Sequence, residues 1–358
     1  MRIAQVCRIG WPHTGGMEAV VGGLSAALVT RGHEVEVFTL DRSVVDGRPL
    51  SEGCTEGVRY RRLPRVGPRR YPFARGLNRA LKGFDLAHIH GLDGLADMAV
   101  LGRHGARVGI STHGGYFHSK RHRWLKEVTL RTVTRRTLSR ADAVWYTSAS
   151  DRTALAAAGV FGPVVHNGID LQRFEGIERK PELGRWLVYG RVDEHKGLER
   201  LIDVLAQVEK GVVEVVGPEA APGLIGRLRR RAREVGVGER IRFHGAVSDN
   251  RLRHWIGSCE FALFPSHFEG FGLTTVELMA AGMPVVASRI PAFEDLVSDG
   301  KTGWLVDFGD PQAAARRLRG LGGEDHTAIQ EAARVRGRSF SWDHQVARWE
   351  RAYAEILP

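Results

Sequence analysis

Cysteine is scarce in this chain of 358 residues: only Cys7, Cys54 and Cys259, none of them spaced as Cys-x-x-Cys. That spacing excludes a disulfide framework and a zinc-binding knuckle, and it points to a reducing, cytosolic compartment. Long apolar runs are lacking as well. The opening stretch MRIAQVCRIG is interrupted by Arg8, and no uninterrupted apolar segment approaches the roughly 20 residues of a membrane-spanning helix. Neither an export signal nor a bilayer span is therefore expected. Asp-x-Asp occurs nowhere, so the usual carboxylate pair for a divalent ion is missing. Acidic residues are also short on one side of the molecule. Residues 1–180 carry 28 Lys and Arg against 16 Asp and Glu, a surplus of 12, whereas the remainder carries 24 against 25. The whole net charge of +11 thus belongs to the first half, and an anionic partner is expected there.

What is abundant is glycine, 44 residues, within a chain that is 43% apolar. The length exceeds what one core usually organises, so two domains are expected. Strand-length apolar runs alternate with helix-length segments: RIAQVCRI (2–9), HEVEVFTL (33–40), DLAHIH (85–90), RVGIST (107–112) and DAVWYTS (142–148). The rhythm restarts at WLVYG (186–190) and continues through GVVEVVG, RIRFHG, EFALFPS and MPVVAS. Two parallel α/β sheets built from βαβ units follow from that pattern. The polar stretch 169–185 reads as a linker, giving domains 1–180 and 181–340. Beyond about residue 310 the pattern is helical, and Trp342, Val346, Trp349 and Tyr353 recur at a spacing that predicts a core-facing stripe.

In doubly wound sheets ligands bind at the carboxyl ends of the strands. The loops placed there are Gly10–Gly16, Thr112–Gly115, Asn167–Gly168, Gly190–Gly197, Gly217–Pro218 and His267–Gly272. In YGRVDEHKGLERL, Arg191 and Lys196 sit between a strand and a helix beginning near Gly197, where free amides and the helix dipole favour an anion; two solvated loop cations are the simpler alternative. In EGFGLTTVELMAAG, Thr274-x-x-Glu277 fits a capping box, which would occupy Glu277. Glu269, before Gly-Phe-Gly, has no cap to make and suits hydroxyl recognition.

FEGFGLTTVE with its two glutamates eight positions apart, followed by MAAGMPVVAS and DGKTGWLV, resembles the donor-site signature of retaining glycosyltransferase family 4. GGMEAVVGGLSAALVTRGHEVEVFT, STHGG, HNGID, GRVDEHKG and a closing aromatic helix occur in that family's order. The resemblance implies a GT-B fold, two Rossmann-like doubly wound domains facing a cleft, with the last helix (about 341–358) crossing back to the N-terminal domain. It further implies that Arg191 and Lys196 bind the diphosphate of a nucleotide sugar. Glu277 would hold ribose hydroxyls and Glu269 a hydroxyl of the transferred sugar. Amides of Gly270, Phe271, Gly272 and Leu273 would face sugar and phosphates, while Gly15 and Gly16 allow a close approach of the N-terminal loop. His113 would lie at the sugar, Asn167 at the hinge side, and Val247 by the base. A metal-independent, retaining hexosyl transfer is the implied reaction, with the nucleotide sugar as co-substrate and no other cofactor. Where the family has Gly-Gly before its next glutamate, this chain reads RIPAFEDLV, so the loop near Pro291 is expected to shape the pocket differently.

The basic first half, concentrated in 59–82 and 118–140, suggests an anionic or lipid-linked acceptor and peripheral contact with an anionic membrane on its inner face. An arginine-rich solvated surface explains the same charge. His13, His88, His90, His118 and His122 are read as structural or surface residues. An epimerase acting on nucleotide sugars and a non-catalytic basic binder stand as alternatives. No nucleic-acid partner is expected, since no binding signature accompanies the arginines.

Overall fold

A computed structural model describes residues 1–13, 15–44, 46–69, 71–114, 130–156 and 159–358, with only the backbone of 130, 131 and 154. Residues 118–129 of the second basic stretch, with His118 and His122, and Gly115 of the first-half loop lie outside them. The chain divides into two compact units, residues 1–169 with 341–358, and residues 170–340.

The first unit is built on seven strands: β1 (Arg2–Val6), β2 (Glu34–Leu40), β3 (Gly53–Thr55), β4 (Val58–Leu63), then, after the two-residue pair β5 (Arg65–Val66) and β6 (Phe73–Ala74), β7 (Leu86–His90), β8 (Arg107–Ser111) and β9 (Ala143–Trp145). Their order is β3-β4-β2-β1-β7-β8-β9, parallel except for β3 against β4. β1 and β7 are central, and β7 is buried along its whole length, LAHIH, as befits a parallel strand covered on both faces. The basic stretch 59–82 forms no continuous amphipathic helix. It begins as β4, where Tyr60 is buried and Arg59 points out, then passes through β5 and β6 to the short Leu77–Ala80 helix. The period-two alternation of VRYRRL is a strand signal that its arginines mask.

The closing helix, Trp342–Ala354, belongs to this unit. Val346, Trp349 and Tyr353 pack with Leu24, Leu28 and Trp145, so the aromatic stripe is core.

The second unit carries β10 (Glu182–Tyr189), β11 (Val212–Val216), β12 (Ile241–Gly245), β13 (Cys259–Phe264), β14 (Val285–Ser288) and β15 (Trp304–Val306). They form one parallel sheet in the order β12-β11-β10-β13-β14-β15. The turn of direction between β10 and β13 places the loops after both strands side by side, the position where such sheets bind ligands. The boundary lies at residues 169 and 170 rather than 180. The charged segment read as a linker is tied to the second unit: Phe174 is buried, Arg173 pairs with Asp249 at 2.6 Å, and the Arg179 guanidinium donates to the carbonyls of Ile256, Cys259 and Glu260. Arginine side chains that satisfy backbone carbonyls turn a polar stretch into the margin of a core.

Candidate active site

In the second unit, the loop after β10 runs through Arg191 into a single 3-10 turn, Glu194–Lys196, and then the Leu198–Leu205 helix. Gly197 joins the two at φ 67°, and a Cβ there would collide with the carbonyl oxygen of Pro265. The amide of His267 donates to the carbonyl of His195 at 2.8 Å. These two contacts fasten the loop after β10 to the loop after β13, and the consequence is an ion pair that the chain order does not reveal. Lys196 Nζ meets Glu269 Oε1 at 2.6 Å, and Ser266 Oγ donates to the same oxygen at 2.8 Å. Glu269 is 8% exposed. Burial alone raises its pKa, but the ammonium beside it and the hydroxyl bond prevail and hold it below the ordinary carboxylate value. Arg191, by contrast, is exposed and has no ion pair or hydrogen bond among the described residues.

The second helix of this site, Leu273–Ala280, starts at Gly272, whose φ of 99° only glycine adopts readily. Its N-cap has no side-chain bond, so the capping box expected of Thr274 and Glu277 is absent. Thr274 lies inside the first turn, where its methyl group faces Gly190. The reason is the glycine: a left-handed residue two positions earlier opens the helix before threonine can cap it. Glu277 is left with Oε2 buried and without a hydrogen-bond partner. Burial pushes its carboxyl up to about 7, against the pull of Arg173 and Lys196. Tyr189 at the end of β10 shares that surrounding and is pushed up to about 12, first by burial and then by the Glu277 charge.

Phe271 contributes only its backbone, because its ring is 5% exposed and packs edge-on against Phe340. Gly270 precedes it and Leu273 opens the helix. Proline at 291 begins a short helix, Pro291–Leu296, and Phe293 and Leu296 from it lie beneath Gly272. Val247 is half-buried between β12 and the Asp249–Ser258 helix.

In the first unit, Gly15 caps the Gly16–Thr30 helix in an extended conformation. The space beside it is taken by Glu18, whose Oε2 would collide with a Cβ at Gly15. Asn167 is 3% exposed with Oδ1 unpartnered. His113 follows β8 at φ 48°, a left-handed backbone uncommon outside glycine. Asp151 holds that turn, accepting from the Thr112 hydroxyl and the Gly114 amide. Burial pulls the His113 imidazole down to about 4, so it is neutral near pH 7.

Residues 14–173 match the family described as Glycosyltransferase Family 4, and residues 173–334 the one described as Glycosyl transferases group 1. A GDP-mannose:cellobiosyl-diphosphopolyprenol alpha-mannosyltransferase of Xanthomonas oryzae is 30% identical over all of this chain and 97% of its own length. The chain belongs to glycosyltransferase family 4. A D-inositol 3-phosphate glycosyltransferase of Xylanimonas cellulosilytica is 28% identical over 97% of this chain and 93% of its own. Among solved structures, sucrose-phosphate synthase from Thermosynechococcus elongatus superposes with a TM-score of 0.80 at 23% identity, covering 99% of this chain and 98% of that one. HepE of Anabaena, in complex with UDP and glucose, does so at 0.78 and 18%, covering 99% and 100%. These likenesses establish the GT-B fold.

For this glycosyltransferase, sequence reasoning singled out Arg191, Lys196, Glu269 and Glu277, and the second unit gathers them around two adjoining loops. It missed Tyr189, Arg173 and Ser266, which surround the two glutamates. Ser266 was within reach, three residues before Glu269 on the same loop. Tyr189 and Arg173 lie at a distance in sequence and carry no local mark. The first unit holds Gly15, Gly16, His113 and Asn167. His88 and His90 prove to be buried, at 0% and 1% exposure, and bonded at both ring nitrogens.

Proposed function

We propose that this glycosyltransferase moves a hexose from a nucleoside diphosphate sugar to a hydroxyl of a lipid-linked, anionic acceptor, with retention of configuration and without a metal. The observation that carries the reading is the buried, unpartnered Oε2 of Glu277, on the Leu273–Ala280 helix whose first turn lies against Gly190 at the end of β10. A carboxylate kept without a protein partner fits a ligand that brings hydroxyl donors, as a ribose does. Arg191 and Lys196 supply positive charge for the diphosphate, and Glu269, already aligned by Ser266 and Lys196, accepts from a hydroxyl of the sugar. The amides of Gly270, Phe271, Gly272 and Leu273 add dipoles without reorganisation. In the reaction the bond between the anomeric carbon and the phosphate oxygen breaks, the acceptor oxygen bonds to the same face, and its proton passes to the departing diphosphate.

GDP-mannose is the first donor to test, because the mannosyltransferase 30% identical over this whole chain uses it on a diphosphopolyprenol-linked sugar. The basic surplus of the first half suits such a diphosphate lipid and the anionic surface that carries it. Incubation with GDP-, UDP-, ADP- and TDP-sugars and a polyprenyl-diphosphate glycan, with and without EDTA, tests the reading. The expected product carries the donor's anomeric configuration and forms equally in EDTA. An inverted product or loss of turnover on chelation overturns the corresponding part. Isomerisation of the sugar nucleotide alone would instead favour an epimerase. Flotation with acidic vesicles at rising salt tests the membrane contact, which is absent if no protein floats even at low salt.

A further inference from the structure

The first unit contains a continuous chain of buried polar side chains that ends at His113. Ser111 Oγ lies 2.7 Å from His88 Nε2, and His88 Nδ1 lies 2.8 Å from the Tyr353 hydroxyl. That hydroxyl lies 3.3 Å from Gln5 Nε2, and Gln5 Oε1 lies 2.7 Å from His90 Nε2. His90 Nδ1 lies 2.9 Å from His113 Nε2. Four elements contribute: β1 gives Gln5, β7 the two histidines, β8 Ser111, and the closing helix Tyr353. Gln5, His88, His90, Ser111 and Tyr353 are each at most 1% exposed.

A neutral imidazole donates at one nitrogen and accepts at the other, so fixing one bond of such a chain fixes all of them. Burial lowers the proton affinity of His88, His90 and His113 alike, which keeps all three neutral near pH 7. The Gln5 amide sets the direction. Its Nε2 is turned toward Tyr353, and the 2.7 Å reach of its other terminal atom to His90 Nε2 suits a carbonyl oxygen accepting an N–H. Gln5 Oε1 must then accept from His90 Nε2–H. His90 Nδ1 is left as an acceptor and takes its hydrogen from His113 Nε2. On the other arm Tyr353 donates to His88 Nδ1, and His88 Nε2–H donates to Ser111. Each of the five contacts then pairs one donor with one acceptor. Nδ1 of His113 is bare and meets no partner among the described residues.

We propose that Gln5, His90 and Tyr353 are positioning residues that hold His113 with its proton on Nε2, presenting Nδ1 as a hydrogen-bond acceptor to a hydroxyl of a bound ligand. The proposal rests on the reading of the protein as a transferase, which supplies the hydroxyl-bearing ligand. Chemically, the closing helix thereby sets the hydrogen-bonding character of a site residue through two intermediates. The neighbouring titratable groups are His88 and His90 on β7, Tyr353 on the closing helix, and Asp151, which binds the backbone at Gly114 and the Thr112 hydroxyl and not the ring.

Long-range proton–nitrogen correlation spectra of the full-length protein, labelled with 15N-histidine and free of ligand, read the tautomer directly. At pH 7 the wild type is expected to show His113 protonated at Nε2 and bare at Nδ1. Tyr353→Phe removes the acceptor of the Gln5 amide, so both amide orientations become populated and the two His113 nitrogens move toward each other in shift. Gln5→Glu places a carboxylate on His90 and raises its proton affinity; on acidification His90 charges, its Nδ1 becomes a donor, and His113 switches to Nδ1–H. A His113 protonated at Nδ1 in the wild type overturns the proposal. So do unchanged His113 nitrogens in Tyr353→Phe with a native circular dichroism spectrum. Turnover separates this failure from that of the functional reading. Loss of one aligned hydrogen bond corresponds to roughly a tenfold fall in kcat, with little change in KM for the donor. Absence of sugar transfer in the wild type indicts the transferase reading even where the tautomer is as stated. Wild-type turnover with the wrong tautomer indicts the relay alone.

Discussion

Replacing Glu277 by glutamine should stabilise the ligand-free protein while disabling it. The Glu277 carboxyl stands at about 7 in the folded chain against 4.5 for an ordinary glutamate. Each unit of such a shift is worth about 1.4 kcal/mol, so ionising the group in place costs about 3 kcal/mol. The sign follows from the direction. A carboxyl raised on folding contributes its stability below the unfolded value, and that contribution is lost as pH rises from about 4.5 through 7. Glu277→Gln removes the charge but buries an amide in its stead, which leaves a net gain of about 2 kcal/mol at pH 8 and almost none at pH 4.5. For a unit of this size that is about 4–8 °C in Tm. Scanning calorimetry of both proteins at the two pH values measures it, the difference between them cancelling the titration of all other groups. Nucleoside diphosphate affinity should move the other way, rising with pH through 7 in the wild type and staying flat and weak in the variant. A Glu277→Gln variant that is less stable than wild type at pH 8, or whose stability difference is the same at both pH values, would refute the picture of a carboxylate stored without a partner.

Lys196→Met leaves Glu269 buried beside Ser266 without its counter-charge, and should cost about 3 kcal/mol by urea denaturation at pH 7. The double variant Lys196→Met with Glu269→Gln should recover most of that loss; failure to recover it places the cost outside the pair. Glu269→Gln alone should cut turnover strongly while circular dichroism stays native. Arg191→Ala touches an exposed, unpaired cation, so its expected effect is a raised KM for the nucleotide sugar with Tm within about 1 °C of wild type. Gly197→Ala meets both a positive φ and the Pro265 carbonyl, and should lower Tm as well as turnover by moving Lys196 away from Glu269; activity unchanged would show that the loop contact is slack.

Much of this protein was written in its local patterns. Apolar runs of strand length announced ten of the strands, because a parallel strand buried on both faces needs an unbroken apolar stretch, and helical spacing of Trp342, Val346, Trp349 and Tyr353 announced the core side of the closing helix. The glycine-bordered loops and their charged residues marked the candidate site, since the end of a parallel strand is where amides and side chains converge. Only the tertiary structure decided the rest. The capping box of Thr274 and Glu277 is a sound local expectation, yet a left-handed Gly272 starts the helix earlier and releases the carboxylate. The ion pair of Lys196 with Glu269 and the chain from Tyr353 to His113 join residues far apart in sequence. Burial created both: it alone determines which charges lose their water, which partners they must then find, and which nitrogen of an imidazole keeps the proton.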